Sequence, residues 1–271
     1  MKNLLDENKL NEVADLESSN YQNNQPFPHI VLDNFLEKEV IERIHTDFPK
    51  PDQIDFYKYD NPLEKKLAMD QIAKLPQSIA EILLAFNSPT FLNFLEKLTG
   101  ISGLIPDPYL RGGGIHQSIN QGKLDIHIDF NKHPKLNLER RLNALLYLNK
   151  NWKEEYNGDF QLWKGYRNNK NEHVLESLEK KVYPIFNRFV VFNTSEKSYH
   201  GFPDRINCPD DVTRKSIALY YYTVDRPEDE KTDAHSTTYI KLPTEDNSLD
   251  TLREQRNKGR LTSNIKIDYL K

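Results

Sequence analysis

Residues 123 to 130 read KLDIHIDF, and the imidazole two positions before a carboxylate is the first feature of this chain that could do chemistry. Side chains in a strand alternate between its two faces. Leu124, Ile126, Ile128 and Phe130 would then form an apolar face, with Lys123, Asp125, His127 and Asp129 sharing the other. Two ligands on one side of a metal ion require that spacing. Taken alone, the pattern is more often a half-buried strand whose polar face is solvated.

Two further segments change the weighing. His200 lies in SYHGFP, just after the strand-like RFVVFNT, and a lone histidine in such an aromatic stretch is commonly a packed structural residue. With His127 and Asp129, however, it would complete a set of two imidazoles and one carboxylate that leaves positions open, which suits Fe(II) for oxygen chemistry. In DVTRKSIALYYYT, Arg214 and Ser216 share one strand face. An inward guanidinium is costly without an anionic partner, and it pairs best with a carboxylate. The distal carboxylate of a 2-oxo diacid is the obvious guest. Alternation over residues 141–149 also puts Tyr147, Asn143 and Arg141 on the more polar face of their strand.

In order, HIDF, LLYLNKNW, NGDFQLW, RFVVFNT, SYHGFP and the Arg-x-Ser strand resemble the Fe(II)/2-oxoglutarate dioxygenases of the prolyl 4-hydroxylase type, over about residues 111–223. The resemblance implies His127, Asp129 and His200 as iron ligands, and Arg214 with Tyr147 on the distal carboxylate of 2-oxoglutarate. It implies hydroxylation of a C–H bond in a prolyl residue, an amino acid or another small molecule, with release of succinate and carbon dioxide. Cofactors would be Fe(II), 2-oxoglutarate and dioxygen, and the chemistry allows ascorbate as a reductant. Where these enzymes often carry a tyrosine near the other carboxylate of 2-oxoglutarate, this chain has Gln117, whose amide can still donate. That departure argues against a close copy of a prolyl site. Asp129 argues for hydroxylation, since related halogenases lack the carboxylate ligand. Rival readings are a non-catalytic jelly-roll module with a structural metal and a zinc hydrolase using the same three ligands.

Other candidates carry less. Residues 111–114, RGGG, lack the Gly-Lys-Ser/Thr of a phosphate loop and read as close-packed backbone. His116, one residue from Gln117, falls on the opposite strand face and reads as structural. His133 reads as a loop residue at the mouth of the site. Trp152 and Trp163 read as core or rim aromatics, and Tyr220 to Tyr222 divide between two sheet faces. Cys208 is the single cysteine, so an intramolecular disulfide is excluded.

The elements that must position these side chains follow from patterning. Residues 1–24 are polar and suggest a loose leader with one short helix. Residues 25–100 suggest a short strand and then a helical support, with helices over 36–48, 64–86 and 88–99. Residues 101–224 switch to short alternating segments, at 113–119, 123–129, 141–149, 158–163, 181–186, 188–193, 198–202 and 214–224, which suits a jelly roll, that is, a double-stranded β-helix. Residues 225–271 suggest an extension or lid. The 271 residues, 37% hydrophobic and 11% aromatic, suffice for one packed core. A charge of −4, from 37 basic and 41 acidic residues along the whole chain, selects neither nucleic acid nor an anionic membrane. No apolar run approaches the ~20 residues that cross a bilayer. The expectation is therefore a cytoplasmic monomer or homodimer acting on a small molecule or peptide.

Overall fold

A computed structural model describes residues 4–258. The chain opens with α1 (Glu7–Asn23), β1 (His29–Leu32), α2 (Lys38–Asp47), and a hairpin of β2 (Tyr57–Asn61) and β3 (Glu64–Met69). Helices α3 (Gln77–Phe86) and α4 (Pro89–Thr99) follow, then the short β4 (Ile105–Pro106). The core strands are β5 (Gly114–Ser118), β6 (Lys123–Ile128), β7 (Glu139–Tyr147), β8 (Phe160–Arg167), β9 (His173–Val182), β10 (Arg188–Asn193), β11 (Tyr199–Phe202) and β12 (Arg214–Thr223). A two-residue β13 (Thr238–Tyr239) and α5 (Asp250–Lys258) complete the described chain.

Strand order is β1-β10-β7-β12-β5-β3-β6-β11-β8-β9, all antiparallel along this path. The order folds into a nearly closed jelly-roll barrel with helical support, the class expected from sequence. Strand β3 joins its two halves, pairing β5 through Leu67↔Gln117 and β6 through Glu64↔Leu124. The helices cover one outer face. Phe35 stacks on Phe189 at 4.2 Å, and Phe86, Phe91 and Phe94 pack around them against Leu142, Ala144, Leu146, Ile217 and Leu219. Each such side chain taken from water contributes on the order of 1.5–3 kcal/mol. A smaller apolar cluster of Tyr147, Phe160, Leu162, Val190 and Phe192 fills the barrel.

Three expectations need correction. Residues 7–23 form a long helix that buries Leu10, Ala14 and Tyr21, not a loose leader, and the Tyr21 hydroxyl donates to Asn193 at 2.6 Å. Asp6 caps it by accepting from the amides of Asn8 and Lys9. Residues 64–69 are a strand rather than the start of a helix, because pairing with β2 along one edge and with β5 and β6 along the other outweighs the helix preference of Glu, Lys, Leu and Ala; α3 begins only after Pro76. Of the expected strand at 181–186 only Lys181 and Val182 are strand, the end of β9, which starts at His173; its charged HVLESLEKKV hides an edge strand that only β8 pairs. Within the expected C-terminal extension, Asp250–Lys258 form α5, and residues 259–271 lie outside the described residues.

Candidate metal and 2-oxoglutarate site

His127 lies on β6 and His200 on β11, and the two are cross-strand partners. Their ring centroids are 4.4 Å apart. Between them lies Asp129, with Oδ1 3.6 Å from His127 Nε2 and Oδ2 3.5 Å from His200 Nε2. One ligand atom from each residue lies within 4.8 Å of the others. The close approach depends on Gly201: a Cβ there would sit 2.7 Å from the Leu124 carbonyl and 2.8 Å from that of Asp125.

Tautomers are fixed by the backbone. His127 Nδ1 lies 2.8 Å from the Asp125 carbonyl and His200 Nδ1 2.7 Å from that of Ser198. A carbonyl only accepts, so both Nδ1 atoms donate and both Nε2 atoms face the aspartate. Burial, with His127 nearby, pushes His200 down to about 3, so it is neutral. For Asp129 burial favours the neutral acid, but Arg140 and the two imidazoles outweigh it and hold the carboxyl well below its usual range. Two imidazoles and an ionised carboxylate, converging on one point, are a fit donor set for a divalent metal.

A second cluster lies deeper. Arg214 is 5% exposed, donates from Nε to the Gly158 carbonyl at 2.7 Å and from Nη2 to the Tyr147 hydroxyl at 3.3 Å, and lies 4.2 Å from the Phe202 ring centroid. Among the described residues no carboxylate is at salt-bridge distance from it. A guanidinium buried without a counter-charge is expensive, so the pocket is built for an anion. Ser216 is buried opposite Tyr147 and His116 in the ladders.

Gln117 does not join this cluster. It shares the strand face of Ile115, which packs under the helices, and its Nε2 donates to the Pro49 carbonyl at 2.9 Å. The residue of β5 that faces Ser216 is His116, half-buried and pushed down to about 3 by burial and by the charges of Lys66 and Arg214. The strand face expected for Gln117 is therefore held by His116, and Gln117 lies on the face that packs under the helices. The strict alternation expected for KLDIHIDF also fails at one point. The β6–β11 ladder shifts between His200↔His127 and Phe202↔Leu124, so Leu124 joins the cluster of Phe202 and Trp152, while Asp125 pairs with Arg253 of α5. His127 and Asp129 lie beyond the shift and keep their common face.

Arg140 was not singled out by sequence. It is 1% exposed and donates from Nη2 to Asp129 Oδ2 at 2.9 Å, while Asn143 Nδ2 lies 3.3 Å from the same oxygen. Alternation gave the polar face to Arg141, but a shift in the β12–β7 ladder between Tyr221 and Tyr222 breaks the parity, and Arg141 pairs with Glu230 instead. The available signal was the pair of arginines entering the otherwise apolar LNALLYL: a strand so apolar can hold a guanidinium only opposite a counter-charge. His133 is a loop staple rather than a mouth residue, accepting at Nδ1 from the amides of Lys135 and Leu136 and meeting Asp107 Oδ1 at 3.3 Å. The RGGG segment is close-packed as expected, since a Cβ on Gly114 would lie 2.2 Å from the Met69 carbonyl.

Residues 113–222 match the family model of the 2OG-Fe(II) oxygenase superfamily, a span that includes His127, Asp129, Arg140, Tyr147, His200 and Arg214. Over these residues the chain is similar to the 2OG-Fe(II) oxygenases. The oxygenase architecture is shared with a prolyl hydroxylase from Trichoplax adhaerens, solved in complex with a peptide fragment of the hypoxia inducible factor oxygen degradation domain, at a TM-score of 0.52 and 16% identity over 79% of this chain and 91% of that one. A Pseudomonas putida prolyl-4-hydroxylase aligns at a TM-score of 0.47 and 14% identity over 79% and 98% of the two chains. At such identities the likeness concerns fold alone. No curated protein matches the oxygenase chain by sequence.

Proposed function

We propose that this oxygenase holds Fe(II) through His127, Asp129 and His200 and hydroxylates a C–H bond of a prolyl residue, an amino acid or another small molecule. The observation that carries the reading is the pairing of a convergent His-Asp-His set with a buried guanidinium that no carboxylate reaches among the described residues. Iron, 2-oxoglutarate and dioxygen together supply the oxidising chemistry, leaving succinate and carbon dioxide, with ascorbate as the accessory reductant. The chain supplies placement. Arg214 and Tyr147 receive the distal carboxylate of 2-oxoglutarate, with Ser216 and His116 beside them. Phe160 and Phe192, whose ring centroids lie 5.5 and 4.6 Å from that of His200, keep bulk water from the ligand set.

The test is succinate release by anaerobically purified, Fe(II)-loaded protein against pools of peptides and metabolites. Arg214→Ala should raise the 2-oxoglutarate concentration required by roughly ten- to a hundredfold, the value of a charged hydrogen bond. A zinc hydrolase would form no succinate, and a structural metal module would be indifferent to Arg214. Either result would refute the proposal.

A further inference from the structure

We infer that Arg140 makes retention of the metal conditional on the dianionic cosubstrate, by neutralising the single carboxylate of the ligand set from behind. This rests on the oxygenase reading above and goes beyond it. Among the described residues, Asp129 is the only carboxylate that Arg140 reaches. The guanidinium cannot easily turn away, because its carbon lies 3.5 Å from the Tyr220 ring centroid and 4.4 Å from that of Phe130. Tyr220 is itself tied by its hydroxyl to the Gly112 carbonyl at 2.7 Å.

Two consequences follow from this placement. Oδ2 of Asp129 receives Arg140 and Asn143, so the oxygen left for a metal is Oδ1, and the aspartate is held as a one-oxygen ligand. The one carboxylate of the set is also offset by one guanidinium, so these two side chains bring no net charge to the metal position. A divalent cation entering alone meets no net negative charge in a buried, low-dielectric setting, where Coulomb interactions are strong. The dianion of 2-oxoglutarate, its far end met by Arg214, brings the missing charge. Arg140 is thus a positioning residue that couples the two binding events.

The test uses Mn(II), which does not turn over, titrated into the full chain with free Mn(II) read by electron paramagnetic resonance, with and without 2-oxoglutarate. Wild type should bind Mn(II) at least tenfold more tightly when 2-oxoglutarate is present. Arg140→Gln keeps a donor but removes the charge; it should bind Mn(II) alone at least tenfold more tightly than wild type and gain less from 2-oxoglutarate. Arg140→Lys, which keeps the charge, should preserve the wild-type coupling. Asn143→Asp adds a negative charge beside Asp129 and should shift the affinities in the same direction as Arg140→Gln, which keeps the test available if that variant does not fold. Unchanged or weaker Mn(II) binding in Arg140→Gln and Asn143→Asp, with wild-type coupling, would overturn the role of Arg140 while leaving the oxygenase reading intact. Wild type that binds no Mn(II) in either condition would overturn both.

Discussion

At the scale of single residues, a one-position offset decides which side chain of β5 faces Ser216. His116 lies opposite Ser216 in the ladder, whereas Gln117 is spent on the Pro49 carbonyl. His116→Ala should weaken 2-oxoglutarate binding several-fold in calorimetric titration, and Gln117→Ala should leave it unchanged while lowering stability by about 1 kcal/mol, the net value of one buried hydrogen bond. The reverse ranking would restore the sequence-based assignment. The metal set was legible from HIDF and SYHGFP because its spacing survives the fold. Arg140 and His116 were not, because both depend on strand parity, and a shift in the β12–β7 ladder or an error of one residue in register inverts parity.

At the scale of elements, the segments outside the matched domain are bound to it by specific contacts. Tyr21 of α1 donates to Asn193 at the end of β10, beside Thr194, whose amide and hydroxyl bond to the carbonyls of Arg141 and Arg140. Tyr21→Phe should cost about 1 kcal/mol in denaturant unfolding; no change would mean that α1 is the loose leader its composition suggests. At the other end, Arg253 of α5 is 5% exposed between Asp125 and Glu245, and Arg256 of the same helix meets Glu64 of β3 at 2.5 Å. Truncating Arg253 to Ala should destabilise by about 3 kcal/mol, because Asp125 is left buried with only Lys123. The polar composition of residues 236–258 gave no sign of this, since ion pairs to distant strands leave no periodic trace.

The tail is also fastened by His235, whose Nε2 lies 2.6 Å from Glu196. Burial opposes ionisation of Glu196, but His235 and Arg167 outweigh it and hold the carboxyl down to about 2. Burial likewise opposes the charge on His235, and Glu196 outweighs it and raises the imidazole above its ordinary 6.5. The raised histidine stabilises fully below pH 6.5 and loses its contribution as pH climbs through its folded value; the depressed glutamate stabilises above pH 4.5 and fades as pH falls toward 2. The stability difference between wild type and Glu196→Gln should therefore be largest between pH 4.5 and 6.5 and shrink on either side. A difference flat across pH would remove the ion pair from the account.

For the whole molecule, helices back one sheet of the barrel, the β2–β3 hairpin bridges to the other, and the ligand set lies where β6 and β11 face each other. The jelly-roll class was legible because short alternating segments between turn residues have few other uses. The hairpin was not, because β3 draws its stability from partners more than 45 residues away in sequence. What the architecture accomplishes is convergence: three ligands from two strands and the loop after β6, beside a guanidinium from a third strand. The direct measurement is anaerobic equilibrium binding of Fe(II) with 2-oxoglutarate to wild type and to His127→Ala, Asp129→Ala and His200→Ala. The account predicts that wild type retains iron and that each substitution lowers the affinity by at least tenfold with the fold intact by circular dichroism. Iron held equally well by all three variants would contradict it.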